Sequence, residues 1–302
     1  MRILWIFLLV ALITAPRGLG ALSSFENKLL EAPEFYPAFG IKEDFSAQTD
    51  FSVFSVITYN VAGLPQLISK SFPIQNLPLI GKKLNAFSLA LVQEDFFYPQ
   101  KLRKSLAYPF RTRAQNRWGS HDGLSQFSIH PFHHFERVVW NACSGRFFMG
   151  ADCLAPKGFS FSVVDLPNGS TIHVYNIHLD AGFMETDQAA RYSQLKQLGH
   201  FIKQNSKDAS IIVAGDFNLH WWQNNNQDKE NFKNFLAQTE LSDTCALTKC
   251  PKYFLDHMLY RSGKENTLTA KTWEIPKGFM DNKGHKLSDH QPIVVTFSSQ
   301  KI

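Results

Sequence analysis

Residues 51–60 read FSVFSVITYN, a run of β-branched and aromatic side chains that closes on a polar residue, Asn60. Such a run suits a strand buried on both faces. The same layout, an apolar run and then a polar side chain, recurs along the chain. LALVQ (89–93) stops at Glu94, and VYNI (174–177) stops at His178 with Asp180 just beyond. IVAG (212–215) stops at Asp216 with Asn218 two residues on. Phe254-Leu255 leads into Asp256-His257, and Leu287-Ser288 into Asp289-His290. In open α/β sheets functional groups gather at the ends of strands, so these residues are candidates for one site. Alone, Asp216-Phe217-Asn218 reads as an Asx turn.

Strand signals fall at 51–59, 88–92, 123–129, 159–164, 171–178, 211–214, 253–260 and 292–297. Helical periodicity is rarer. Ala189, Tyr192, Leu195, Leu198 and Ile202 share a face and predict a helix over 186–205, with Thr186 or Asp187 as its cap. Phe232, Phe235 and Leu236 predict a shorter one over 229–238. Strands interspersed with helices, without a break in composition, predict one α/β domain over 51–302. Residues 21–50 form a lead-in without a clear pattern. Hydrophobic residues at 44% and charged residues at 19% exclude a disordered chain. The 27 Phe, 8 Tyr and 6 Trp point to a thick sheet core.

The N-terminus reads as a signal. Arg2 precedes an uncharged run over 3–16, followed by Arg17 and the small residues Gly18 and Gly20. That run is short for a membrane span, so residues 1–20 are expected to be a cleaved secretory signal and the mature chain secreted or extracytoplasmic. An uncleaved anchor is the alternative. The formal charge is +5, and +3 once Arg2 and Arg17 are gone, which decides nothing about a polyanionic partner. Export makes the four cysteines a disulfide framework, most simply Cys143–Cys153 and Cys245–Cys250, with buried thiols as the alternative.

Seven strings, TYNVAGLP (58–65), LVQED (91–95), DGLSQFS (122–128), NIHLDAG (176–182), AGDFNL (214–219), FLDHMLY (254–260) and LSDHQPI (287–293), together resemble the endonuclease/exonuclease/phosphatase superfamily. That group contains deoxyribonuclease I, inositol-polyphosphate 5-phosphatases and neutral sphingomyelinases. The resemblance implies a deoxyribonuclease I-like four-layer α/β fold, a two-sheet β-sandwich flanked by helices. The nearest likeness is to secreted neutral sphingomyelinases, through the segment ending GADCLAPKGF (150–159) and through Arg191, Gln194 and Leu195 after NIHLDAG. Asp180 stands where those enzymes usually have Gln.

The chemistry implied is hydrolysis of a phosphodiester by activated water, assisted by Mg²⁺ or another divalent cation. Glu94 is the expected principal ligand, with Asn60 and Asp289 beside it. His290 is the expected general base, with Asp256 fixing its tautomer. Asp216 and Asn218 would position water and a phosphoryl oxygen, and His178 would donate to the phosphate. His257 is expected to be structural.

The expected substrate is a phospholipid at a membrane surface, with a secreted nuclease as the alternative and an inactive binding module ranked last. Apolar residues over 64–80, kept from forming a long helix by Pro65, Pro73 and Pro78, suit a lipid-facing loop or equally a core-packed one. Lys101, Arg103, Lys104, Arg111, Arg113 and Arg117 suit nucleic acid or anionic headgroups. His130, His133 and His134 are expected on an exposed loop, with metal binding as the lesser reading. Nothing calls for an obligate protein partner.

Overall fold

The computed structural model describes residues 29–30, 34–35, 53–67, 69, 71–115, 121–145, 152–220, 226–248 and 254–302. Two seven-stranded mixed sheets face each other. The first has the order β1 (Leu29–Leu30), β7 (Phe132–Val139), β8 (Gly158–Asp165), β9 (Thr171–His178), β10 (Ile211–Asp216), β12 (Asp256–Arg261) and β11 (Ser242–Asp243). The second has the order β13 (Asn266–Glu274), β14 (Ile293–Lys301), β3 (Val53–Asn60), β4 (Leu89–Gln93), β6 (Ser125–Ser128), β5 (Phe110–Arg111) and β2 (Glu34–Phe35). The lead-in therefore supplies an edge strand to each sheet, β1 against β7 and β2 against β5.

Three apolar clusters make the four layers. Between the sheets lie Val56, Leu91, Val174, Ala214 and Val295 among others. Helices α3 (Glu185–Asn205) and α4 (Asn226–Thr239) cover the first sheet, bringing Leu195, Leu198, Phe232 and Phe235 against Phe159, Tyr175 and Val213. Helices α1 (Pro73–Leu84) and α2 (Pro99–Arg103) cover the second, placing Leu77, Ile80, Leu84 and Leu102 on Ile57, Ala90 and Val92. Alternate residues of the central strands thus face two different cores, which is why those strands read as unbroken apolar runs.

α1 departs from the loop expected over 64–80. Pro73 opens it, where a missing N–H costs nothing, and Pro78 lies inside it. Burial of Leu77, Ile80 and Leu84 outweighs the hydrogen bond lost at Pro78. α3 starts at Glu185, and its first turn is closed by the Asp187 carboxylate accepting from Met184 N at 2.8 Å. Strand β13 escaped the sequence reading because it is an edge strand, NTLTAKTWE, with Leu268 and Ala270 buried among polar neighbours. Strand β7 escaped because a bulge interrupts its alternation between His133 and Glu136.

Arg191 ties the two covering helices to the loop after β9. It pairs with Asp228 of α4 through Nε at 3.1 Å and Nη2 at 2.8 Å, and its Nη1 donates to the carbonyls of Asp180 and Gly182 at 3.0 and 2.8 Å. Both charges are essentially excluded from solvent. Arg191→Met would strand the Asp228 carboxylate in the interior, and the expected loss is about 3–5 kcal/mol of unfolding free energy. Urea denaturation of the variant against the parent measures it.

Candidate active site

The parallel pairs β3/β4 and β9/β10 lie at the centres of their sheets. Their carboxyl ends, Asn60, Gln93, His178 and Asp216, reach the same edge of the sandwich, where Asn60 Nδ2 donates to Asp216 Oδ2 across the two sheets at 3.0 Å. Two antiparallel strands begin at this edge. Asp256 pairs with Asp216 in the register of β12, and Ile293 pairs with Thr58, so the preceding Asp289-His290 segment arrives beside Asn60.

Asp216 is the hub. Its Oδ2 lies 3.0 Å from Asn60 Nδ2, 3.5 Å from His178 Nε2 and 3.6 Å from His290 Nε2, and its Oδ1 accepts from Asn218 N at 3.0 Å. The last bond is the Asx turn expected from sequence, here built into the site. Glu94 Oε1 accepts from Asn60 Nδ2 at 2.9 Å and lies 3.9 Å from His178 Nε2. His290 Nδ1 meets Asp256 Oδ2 at 2.8 Å, which leaves Nε2 facing the cluster. Among the described residues, Glu94, His178 and Asp216 bring ligand atoms within 4.8 Å of one another, as do Asp216, Asp256 and His290.

The backbone is strained where these side chains project. Ala62, Glu94 and Asn218 have φ of 48°, 58° and 48°, in the left-handed region that non-glycine residues avoid. Gly63 answers the turn at Glu94: its N–H donates to Glu94 O at 3.0 Å, and a Cβ there would sit 2.3 Å from that oxygen.

Burial dominates the electrostatics. It raises the carboxyl pKa of Glu94, against the Asn60 hydrogen bond and the charge of Lys157. It also raises Asp216, with His290 opposing and Asp256 adding to the rise. Burial, then Lys157 and His290, hold His178 well below the ordinary imidazole value, so His178 is neutral. For His290 burial works the same way, but Asp256 and Asp216 together outweigh it and lift its pKa well above 6.5. Buried His178 Nδ1 and Asp256 Oδ1 have no hydrogen-bond partner. Two carboxylates short of positive charge, beside a neutral imidazole, fit a divalent cation.

Of the expected ligands, the fold brings Asn60 to Glu94 and leaves Asp289 outside both clusters. Asn60 turns its amide nitrogen to the carboxylates while its Oδ1 accepts from Ala62 N at 3.0 Å, so its nitrogen links Glu94 to Asp216. Asp289 is exposed and stands apart from both clusters; its N–H is bound by Ser71 Oγ at 3.0 Å. His178 stands with Glu94 and Asp216 in a group that could hold a metal ion. The side-chain amide of Asn218 is spent on Leu179 O at 3.1 Å. His257 is structural, bonded to Asp243 Oδ2 at 2.7 Å and packed on Phe217 and Phe232.

Lys157 is the residue that the sequence reading missed. It pairs with Asp152, hydrogen-bonds Leu179 O at 3.4 Å, and acts on the charges of Glu94, His178 and Asp216. Its only signal was its place in GADCLAPKGF. The Cys143–Cys153 disulfide closes this segment. Asp180, buried and pushed up to about 6 by burial and by Asp152, accepts from Ser144 N and Gln194 Nε2 at 2.5 and 2.9 Å and so docks the segment on the end of β9. Cys245 is also disulfide-bonded, and Cys250, its expected partner, lies outside the described residues.

No family model matches the chain. A sphingomyelinase of Mycobacterium tuberculosis is 35% identical over 278 residues, covering 81% of this chain and 52% of that protein. The chain thus spans about half the length of the curated relatives it first matches. Among solved structures, SmcL is similar with a TM-score of 0.60 at 18% identity, over 82% of this chain and 99% of that one. A variant of beta toxin from Staphylococcus aureus with bound magnesium ions gives 0.59 at 19%, over 80% and 98%. These structures share the fold.

Asn60→Ala should uncouple Glu94 from Asp216 without exposing either. The expected result is a weaker apparent affinity for divalent cation by 10-fold or more, on the order of the loss for residues that orient metal ligands. Isothermal titration of the variant with Mg²⁺ measures it.

Proposed function

The chain belongs to the endonuclease/exonuclease/phosphatase superfamily, and from that premise we propose that it is an exported, divalent-metal-dependent phosphodiesterase that cleaves the headgroup of a sphingomyelin-like phospholipid. The observation that carries this reading is the cluster around Asp216, two buried carboxylates with two imidazoles whose pKa values are pushed in opposite directions.

Glu94, with Asp216 and His178, is the group that would hold Mg²⁺, which when bound neutralises phosphoryl oxygens and acidifies water. His290 takes the proton of the attacking water on Nε2, since Nδ1–H is committed to Asp256. The Asp256 carboxylate stabilises the imidazolium that results. Water's oxygen bonds to phosphorus as the bond to the alcohol oxygen breaks; the alkoxide released takes a proton from solvent water, and His290 returns its own proton to solvent. Lys157, whose charge acts on Glu94 and Asp216, would oppose the charge that builds on the phosphoryl oxygens.

A lipid substrate is favoured over nucleic acid by what rings the site. Leu67, Phe72 and Phe183 are 91%, 62% and 66% exposed, on the loops that follow Asn60 and His178. Phe72 is held outward by a left-handed backbone (φ 49°), next to Ser71, which binds Asp289. Exposed apolar side chains around a polar cleft suit a bilayer surface. The basic residues that would suit nucleic acid are partly engaged inside the protein: Arg103 pairs with Asp95 at 2.5 Å and with Ser125 Oγ at 3.0 Å. Arg117 lies outside the described residues. Residues 1–20, the reading of which as a signal supports export, lie outside them too; among the described residues no helix is long and apolar enough to cross a membrane.

Sphingomyelin liposomes, phosphatidylcholine liposomes and plasmid DNA, offered in parallel with Mg²⁺ or EDTA, test the reading. Release of phosphocholine from sphingomyelin, abolished by EDTA and by Glu94→Gln, is expected; cleavage of DNA alone would overturn it. Phe72→Asp and Phe183→Asp should raise KM on liposomes while leaving hydrolysis of a soluble phosphodiester unchanged.

The general-base pair has its own signature. His290→Ala should cost about 10²–10⁴ in kcat, and adding Asp256→Asn should cost scarcely more, because the two act as one unit. The pKa of His290 is raised well above the ordinary imidazole range, so the rate falls as pH drops through that raised pKa. Asp256→Asn removes the largest opposing charge and should move this acid limb to lower pH; kcat profiles over pH 5–9 measure the shift.

A further inference from the structure

A second group of imidazoles lies at the opposite end of the first sheet. His173 is five residues upstream of His178 on β9, about 16 Å away along the strand. His133 on β7 and His173 on β9 both pair with Val163 of β8, so they flank it on one face of the sheet. That is the helix-covered face, where Phe161, Val163 and Tyr175 pack; His133 and His173 lie at its end, beside Ser206, which follows α3.

The bulge in β7 adds a third imidazole. Phe132 and Phe135 both enter the core between the sheets although three residues apart, which the extra residue makes possible. His133 and His134 between them are both exposed, and their rings meet at 4.7 Å between centroids. His134 adopts φ 50°, the left-handed region where glycine is usual at such a bulge. A histidine held there brings two adjacent imidazoles together against a backbone preference.

Two of these rings carry an outer partner on Nδ1. His133 Nδ1 is bound to Asp165 Oδ2 at 3.1 Å, and His173 Nδ1 to Ser206 Oγ at 2.7 Å. In each ring Nε2 is the nitrogen left over, and a carboxylate or hydroxyl on Nδ1 is the usual outer partner of a metal-bound histidine. Burial first, then the charges of His133, Arg261 and His134, push the pKa of His173 down to about 4. Arg261 is turned onto the carbonyls of Thr239, Ser206 and Lys207.

We propose that His133, His134 and His173, with Asp165 orienting His133, form a binding site for a borderline divalent transition-metal ion such as Zn²⁺, separate from the carboxylate site at Glu94. Imidazole donors select zinc-type ions over Mg²⁺, whereas the catalytic cluster is led by carboxylates. The three rings are not drawn together as Glu94, His178 and Asp216 are, so binding requires the exposed His133 and His134 to turn toward His173. Bound metal would clamp β7 to β9 and stabilise that end of the sandwich.

The test uses the mature chain without a histidine tag and reads binding, so it stands apart from the phosphodiesterase assignment. Zn²⁺ is titrated calorimetrically in excess Mg²⁺, and Co²⁺ is added as a spectroscopic probe. One equivalent of Zn²⁺ is expected in the parent and in Glu94→Gln, with a Co²⁺ spectrum of nitrogen ligation. His133→Gln combined with His134→Gln should weaken it at least 10-fold, and so should His173→Asn. His134→Gly should raise the melting temperature of the metal-free protein by relaxing the backbone, yet abolish the rise produced by Zn²⁺. No zinc bound in excess Mg²⁺, binding lost in Glu94→Gln, or binding unchanged in the histidine variants would each overturn the proposal.

Discussion

The contact on which the site depends is the hydrogen bond that crosses from one sheet to the other, from Asn60 Nδ2 to Asp216 Oδ2. Asp216 is a buried carboxylate, and an isolated charge in that position would be expelled from the fold or neutralised. It is kept by the groups drawn onto it: Asn60, the Asn218 amide and the rings of His178 and His290. Each comes from a different strand end, so satisfying one carboxylate assembles the cluster. The sheets therefore meet at this edge through polar chemistry and elsewhere through apolar packing.

A polar seam continues that contact inward. Gln93 Nε2 donates to Thr58 Oγ1 and to Asn176 Oδ1 at 3.0 and 2.7 Å, and Asn176 Nδ2 donates to Val92 O and Ser125 O. Ser162 Oγ donates to Gln126 Oε1 at 2.9 Å, again between sheets. Apolar faces can slide over one another at little cost, whereas these bonds hold only in one register. Gln93 precedes Glu94 and Asn176 lies two before His178, so the register they enforce is the register of the site.

Among the described residues, left-handed backbone at non-glycine positions gathers mostly where the chemistry is, with Glu240 after α4 the exception. The left-handed residues Ala62, Glu94 and Asn218 belong to the carboxylate edge, Phe72 to its rim and His134 to the imidazole group at the far end. Each is held by its surroundings, Glu94 by the close approach of Gly63 and Asn218 by Asp216 and Leu179. The disulfide at Cys143–Cys153 closes the segment that delivers Lys157, so an otherwise unpatterned stretch reaches the cluster in a defined place.

The sequence by itself determined the strand ends and their chemistry. Period and composition marked β3, β4, β9, β10 and β14, because strands buried on both faces leave little choice of side chain. The polar residue closing each run named Glu94, His178, Asp216 and His290, and the Asp256–His290 pair was legible from the resemblance. Edge strands were not legible, since β13 and the short β1 and β2 gain their place from a neighbour's open hydrogen bonds and need little apolar pattern of their own. Nor was α1, whose prolines argue against a helix until burial of Leu77 and Ile80 is counted. Only the tertiary structure decided that Asn60 serves the carboxylates as a donor, that Asp289 stays in solvent and that Lys157 approaches the site. Those assignments depend on which nitrogen or oxygen faces which neighbour across 22 to 218 residues of chain, and side-chain direction of that kind is set by tertiary packing.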